Sequence, residues 1–182
     1  MKEIKTPLSE RTVRSLELGD VVYISGSIIT GRDEMHLRAL ESDDKAAERI
    51  KNAVIFHCGP IIAESKAGRE IIAAGPTTSA RMNSTAPDVI RRYGVRALIG
   101  KGGMSKEVSE AMKEVGCVYL AATGGAAVSL AEGLVVEGAE WTDLGMAEAM
   151  WLLKAERFGP LTVAMDSNGN SLYENVRRNL KG

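Results

Sequence analysis

The chain has only two cysteines, Cys58 and Cys117, far apart and without a CxxC or other ligand-like spacing. That pattern gives no support to a disulfide framework or a cysteine metal site and suits two core thiols in a reducing cytosol. No apolar run approaches the ~18 residues that a membrane-spanning helix needs, and residues 1–20 are polar and charged, so no secretory signal is expected. An excess of either charge is missing too. Twenty-three basic residues face 24 acidic ones, a formal charge of −1, which removes the electrostatic case for nucleic acid or an anionic membrane surface. Any anion binding must be local. No repeat or low-complexity segment stands out, and the chain is expected to form one domain over residues 1–182, soluble and cytoplasmic. A chain of that size buries roughly 70% of the surface its unfolded form exposes.

Several catalytic signatures are also absent. A phosphate loop at Gly100-Lys101 fails because Gly94 lies one residue too far upstream and Gly102 replaces the required Ser or Thr. A dinucleotide fingerprint fails because Ser105 stands where its third glycine belongs. There is no GxSxG and no HExxH, and His57 and Cys58 are chain neighbours, which does not make them a base and nucleophile.

What is present centres on Gly75-Pro76-Thr77-Thr78-Ser79-Ala80-Arg81-Met82. The preceding Ile71-Ile72-Ala73-Ala74 reads as a short buried strand and the following segment as helix, which places the octet at a strand-to-helix turn. Three hydroxyls would lie beside the unpaired N–H groups of the new helix, with Arg81 in its first turn, able to fork onto a carboxylate or phosphate. The same eight residues also read as a Ser/Thr-rich N-cap with a surface arginine.

Elsewhere, Ser9 caps a short helix, and residues 21–31 are extended up to a helix beginning near Arg32-Asp33-Glu34. Arg32 sits at a helix mouth, where a positive charge is unfavourable unless it has an anion to bind. His36 either backs it up or is a structural group, and His57 is either a core or a site residue. A strand closes in the Gly59-Pro60 turn, and strand–loop–helix units are formed by the octet, by Gly100-Lys101-Gly102-Gly103 (with Ser105 capping residues 106–115) and by Ala121-Ala122-Thr123-Gly124-Gly125. Three such units imply an α/β fold with a parallel sheet and crossover helices, whose C-terminal strand ends share the edge where such sheets bind ligands. The closing stretch reads as further strands at residues 134–141 and 161–166, a turn at Asp166-Ser167-Asn168-Gly169 and a helix over residues 172–180. The loop-tip cations Arg32, Arg81 and Lys101, with the hydroxyls of Thr77, Thr78 and Thr123, suit a small dicarboxylate gripped at both ends.

Gly31-Arg32-Asp33 with His36, the octet at 75–82, Gly100-Lys101-Gly102, Thr123-Gly124-Gly125-Ala126-Ala127 and Asp166-Ser167-Asn168-Gly169-Asn170 resemble, in order, the C-terminal region of class I iron-sulfur fumarate hydratases. The same region occurs as the separate β subunit of two-chain fumarases and L-tartrate dehydratases. The likeness runs over residues 8–173. It implies a three-layer swivelling β/β/α fold and a reversible hydro-lyase acting on a 2-hydroxy dicarboxylate. A 4Fe-4S cluster would be held by a partner α subunit, since Cys58 and Cys117 match none of the family's cluster ligands, and this chain would hold no metal. A dimer of αβ pairs is implied as well. Carried onto this chain, the pattern makes Thr77 the base, Thr78 a hydroxyl contact to substrate, and Arg32, Arg81 and Lys101 carboxylate-binding and charge-stabilising groups. The Thr123–Ala127 loop looks like the fumarase version, whereas Phe158-Gly159-Pro160-Leu161 is closer to the tartrate enzymes. Fumarate is the favoured substrate and tartrate the alternative. A non-catalytic carboxylate-binding module on the same fold is the rival class.

Overall fold

The computed structural model describes residues 1–66, 68–123 and 127–180. In chain order its elements are β1 (Lys2–Lys5), α1 (Glu10–Arg14), β2 (Val21–Thr30), α2 (Asp33–Glu41), β3 (Val54–Phe56), β4 (Ile61–Ser65), β5 (Gly68–Ala73), α3 (Ala86–Tyr93), β6 (Ala97–Gly100), α4 (Lys106–Val115), β7 (Val118–Ala121), α5 (Ala127–Ala131), β8 (Leu134–Glu140), β9 (Met150–Met165) and α6 (Leu172–Asn179). This is the expected α/β fold. Local chemistry sets several boundaries: Ser9 Oγ accepts the Thr12 N–H at 3.0 Å to start α1, and Gly94 and Gly116 end α3 and α4 in the left-handed region, φ 62° and 73°, where a Cβ would be strained.

Strands β2, β3, β6 and β7 run parallel, with β1 parallel to β2 at the outer edge. Their side chains alternate between two cores, as the two-residue strand period requires. Ile55, Leu98 and Tyr119 point into one core with Met35 of α2, Ile90 of α3 and Met112 of α4. Phe56, Ile99 and Leu120 point into the other, against Ile24, Leu153, Phe158 and Val163 of β2 and β9 and Ile62 and Ile71 of the β4–β5 hairpin. Helices α2, α3 and α4 therefore cover one face of the parallel strands, and further β structure, joined by Val13 of α1 and Leu130 of α5, covers the other.

Strand β9 decides the topology. It pairs antiparallel with β2 from Leu152 to Thr162 and with β7 from Thr162 to Met165, so the pairings β2–β3–β6–β7–β9 return to β2. The sequence reading expected a shorter strand beginning at residue 161. Gly159 accounts for the difference: it takes φ +148°, a conformation open to glycine, and the strand runs on through Gly159-Pro160.

Two further expectations are corrected. Ile71-Ile72-Ala73-Ala74 is not a buried sheet strand: residues 71–73 end β5, which pairs only with β4 in a separate two-stranded sheet. One face of that hairpin covers the core, so Ile71 is buried while Ile72 is 47% exposed. The octet likewise ends in a 3-10 turn, Ser79–Met82, so Arg81 lies in that turn and not in the first turn of the α-helix, which is α3 starting at Ala86.

Candidate active site at the edge of the parallel sheet

Because β2, β3 and β6 are parallel, their C-terminal ends deliver Gly31-Arg32, His57-Cys58-Gly59 and Gly100-Lys101 to one edge. The octet reaches the same edge from the end of β5. Main-chain hydrogen bonds lock these loops together. The Thr77 N–H donates to the His57 carbonyl at 2.7 Å, the Ser79 N–H to the Lys101 carbonyl at 3.0 Å, and the Lys101 N–H to the Thr77 carbonyl at 3.3 Å. Cys58 bridges Pro76, and Thr78 bridges Lys101. Lys101, 23 positions from Thr78 in sequence, is thus made a neighbour of Thr77 and Thr78 by backbone alone. No hydrogen bond engages the Thr77 or Thr78 hydroxyl among the described residues, and Lys101 is exposed and has no ion-pair partner among them.

Ser79 departs from the expected row of three hydroxyls. It is fully buried; its Oγ accepts from the Tyr119 hydroxyl at 3.0 Å and lies 2.8 Å from His57 Nδ1. The Ser79 hydroxyl thus joins the Tyr119 phenol to the His57 ring, with the tautomer of His57 setting which of Oγ and Nδ1 donates. The backbone at Gly100 allows this approach, because a Cβ there would lie 1.9 Å from Ser79 Oγ. His57 stacks edge-on against His36 with ring centroids 5.4 Å apart. Both rings are fully buried, and neither Nε2 has a hydrogen-bond partner among the described residues. Burial disfavours the imidazolium and pulls His36 down to about 4, against a smaller opposing effect of Asp33. Burial, and then His36 itself, holds His57 well below its ordinary value. The two histidines are therefore the buried underside of the site.

Both arginines are present at this edge, and both face carboxylates of their own chain. Arg81 Nη2 lies 2.8 Å from Asp33 Oδ2, with the Arg81 side chain 50% exposed. Arg32 occupies the N-cap of α2, with its Nε 3.2 Å from Glu148 Oε1, while Glu148 Oε2 accepts the Glu34 N–H at 3.1 Å. Nothing local announces Glu148, which lies 114 residues from Glu34. Asp33 carried a weak signal as an acid in the first turn beside Arg32. Thr123 is exposed at the end of the β7 loop; Gly124, Gly125 and Ala126 of the matched loop lie outside the described residues. Asp166 makes the expected turn, accepting the N–H groups of Asn168 and Asn170 at 2.9 Å each, and α6 then sets Tyr173 over Gly103.

Cys58 and Cys117 are fully buried in different cores, and burial pushes the Cys58 thiol up to about 12 and raises Cys117 further. Among the described residues no three His, Cys, Asp or Glu side chains cluster as a metal site, and no helix is long and apolar enough to cross a membrane. A groove of about 420 Å³ between β5, α5 and β8 is lined by Ile72, Val128 and Val135 among others and holds none of the site residues.

Comparison with known proteins follows the same boundaries. The chain is 43% identical over 176 residues to a Methanocaldococcus jannaschii protein named "Putative L(+)-tartrate dehydratase subunit beta", covering 94% of this chain and 90% of that one. It is 34% identical over 172 residues to the L(+)-tartrate dehydratase subunit beta of Escherichia coli, covering 94% and 86%. It is 42% identical over 177 residues to a Geobacillus stearothermophilus protein named "Putative fumarate hydratase class I", covering 96% of this chain but 34% of that relative. The family model described as fumarase C-terminus matches residues 2–176, nearly all of the parallel sheet, its helices and the loops just described, and the chain belongs to that family.

Proposed function

We propose that the chain is the β subunit of a two-chain hydro-lyase that interconverts fumarate and (S)-malate, with an α subunit holding the iron-sulfur cluster. The observation that carries this reading is the interlocked Thr77–Lys101 turn, which joins two hydroxyls and an ammonium without side-chain partners among the described residues at the sheet edge that also bears Arg32 and Arg81. Near-full-length similarity to proteins named as β subunits, against a one-third share of a class I fumarate hydratase, supports the two-chain arrangement.

On this reading Arg32, Arg81 and Lys101 hold the substrate carboxylates. The Thr77 oxygen takes the proton from C3, next to a carboxylate, where charge develops. A threonine acts as a base only as its alkoxide, so a cation must stabilise it, and Lys101, joined to Thr77 through the backbone, is the candidate. Arg81 is drawn from Asp33 to substrate, replacing one carboxylate by another. Thr78, Arg81 and Lys101 are all exposed, and an α subunit laid over this edge would exclude water from them. L(+)-Tartrate is the second reading, favoured by the relatives' names and by Phe158-Gly159-Pro160-Leu161.

The test is reconstitution. The isolated chain is expected to be without iron-sulfur absorbance or turnover, and mixing with a cluster-loaded α subunit is expected to give hydration of fumarate, with kcat/KM above that for L(+)-tartrate dehydration. Turnover by the isolated chain would overturn the two-chain reading; a complex that prefers tartrate would replace the substrate.

A further inference from the structure

We propose that Glu148 is a positioning residue that aims the Arg32 guanidinium at the substrate carboxylate, an inference that rests on the role given to Arg32 above. Arg32 threads a slot. A Cβ on Gly59 would lie 2.6 Å from its Nη1 and 3.0 Å from the Ala147 carbonyl, so only a glycine floor leaves room for the guanidinium beside residues 147 and 148. Glu148 closes the slot from the inner side, with Oε1 3.2 Å from Nε and Oε2 on the Glu34 N–H at 3.1 Å. Both side chains are mostly buried, 20% exposed for Arg32 and 18% for Glu148. Arg32 Nε meets Glu148 in a charge contact that is not a hydrogen bond, and neither terminal nitrogen donates one among the described residues, so the carboxylate holds the guanidinium by charge and leaves the Nη donors to a ligand.

Glu148 is itself held in place. The Ala149 carbonyl accepts from Thr30 Oγ1 at 3.2 Å and the Trp151 N–H donates to the same Oγ1 at 3.0 Å. Thr30, fully buried at the end of β2, thereby ties the start of β9 to the strand that leads into Arg32. The Ala149 N–H donates back to Gly145 at 2.8 Å, and Arg38 of α2 pairs with Asp143 of the same connection at 2.8 Å. The connection between β8 and β9 is thus strapped along α2, and it presents one carboxylate to both the helix N-terminus and Arg32. The two favourable partners of that carboxylate, a positive helix end and a guanidinium, reinforce each other in keeping it ionised and in place.

The experiment uses the reconstituted two-subunit enzyme and compares Glu148→Gln, Glu148→Ala, Arg32→Ala and the Glu148→Ala/Arg32→Ala pair by KM and kcat for (S)-malate, or for L(+)-tartrate if that is the better substrate, with melting temperature alongside. Glu148→Gln keeps an acceptor for the Glu34 N–H but not the charge, so it is expected to melt like wild type while KM rises about tenfold and kcat changes less than about twofold. In the Arg32→Ala background the further change on removing Glu148 is expected to be under about twofold, since a group that acts through Arg32 has nothing left to aim. Arg32→Ala with a raised KM but Glu148→Gln at the wild-type KM would overturn the positioning role and leave the function standing. Full additivity in the pair would overturn it as well. Arg32→Ala at the wild-type KM would remove Arg32 from the site and this proposal with it.

Discussion

Thr77 and Lys101 are fastened to each other through their backbones: the Lys101 N–H donates to the Thr77 carbonyl at 3.3 Å, and the Lys101 carbonyl accepts the N–H of Ser79, two residues beyond Thr77, at 3.0 Å. Their side chains take no part in that fastening, which separates what holds the turn from what acts in it.

Thr77→Val should therefore leave the melting temperature of the reconstituted enzyme unchanged, because the turn is held by main-chain bonds and Thr78, not Thr77, occupies the cap of the 3-10 turn. With the hydroxyl gone, kcat is expected to fall by ~10²-fold or more at nearly constant KM, the pattern of a group that acts in the transition state. Thr78→Val should be milder and felt partly in KM. Wild-type exchange of the malate C3 proton in a folded Thr77→Val complex would rule Thr77 out as the base.

Lys101→Met should cost activity without cost in stability, since the ammonium is exposed and has no ion-pair partner among the described residues. Arg81→Ala is expected to weaken substrate capture by about 1.5–3 kcal/mol, the range for a lost charge-assisted bond, read as a rise in KM. Arg38→Ala, which breaks only the partly exposed pair with Asp143, should be close to neutral. Equal small effects at Arg81 and Arg38 would return Arg81 to the role of a surface residue.

Gly100→Ala tests the packing under the turn. Its Cβ would fall 1.9 Å from Ser79 Oγ, 3.2 Å from the Tyr119 hydroxyl and 3.3 Å from His57 Nδ1, so the buried network must move. A loss of about 1–3 kcal/mol in stability is expected from such crowding, measured by urea unfolding of the purified chain. Ser79→Ala should cost a similar ~1–3 kcal/mol by leaving His57 Nδ1 and the Tyr119 hydroxyl without their shared partner. A Gly100→Ala chain as stable as wild type would show that the network yields freely.

The buried histidines predict an acid dependence. Both are held neutral in the folded chain, His36 at about 4 and His57 well below its ordinary value, while unfolded histidine titrates near 6.5. The unfolded state therefore binds more protons below that value. Their contribution is fully present above pH ~6.5 and is lost towards pH ~4, at about 1.4 kcal/mol per pH unit for each ring. The chain has only two histidines, so their C2–H resonances can be followed without ambiguity. Neither should titrate between pH 7.5 and 5 in the folded chain; a midpoint near 6.5 for either would contradict its burial.

Much of this architecture was legible in the residues because its causes are local. Ser9 and Ser105 mark helix starts, Gly94 and Gly116 mark helix ends, and short apolar runs such as Val54–Phe56 mark buried strands, since caps, left-handed glycines and β-branched or aromatic runs act within a few positions. The parallel order followed from the strand–loop–helix units, and with it the shared edge that collects Arg32, Thr77 and Lys101. Other features depended on partners that only packing brings together. Ile71 and Ile72 look alike in sequence, but one face of the hairpin is covered and the other is not. Ser79 reads as a third site hydroxyl until Tyr119 and His57, 40 and 22 residues away, draw it inward. The positive charge at the mouth of α2 called for an anion without saying which. The residue that supplies one within the chain, Glu148, arrives from the far end of β8 because Thr30 binds the start of β9 at Ala149 and Trp151. A long-range register of that kind is set by which strands close the sheet, and no local pattern of residues encodes it.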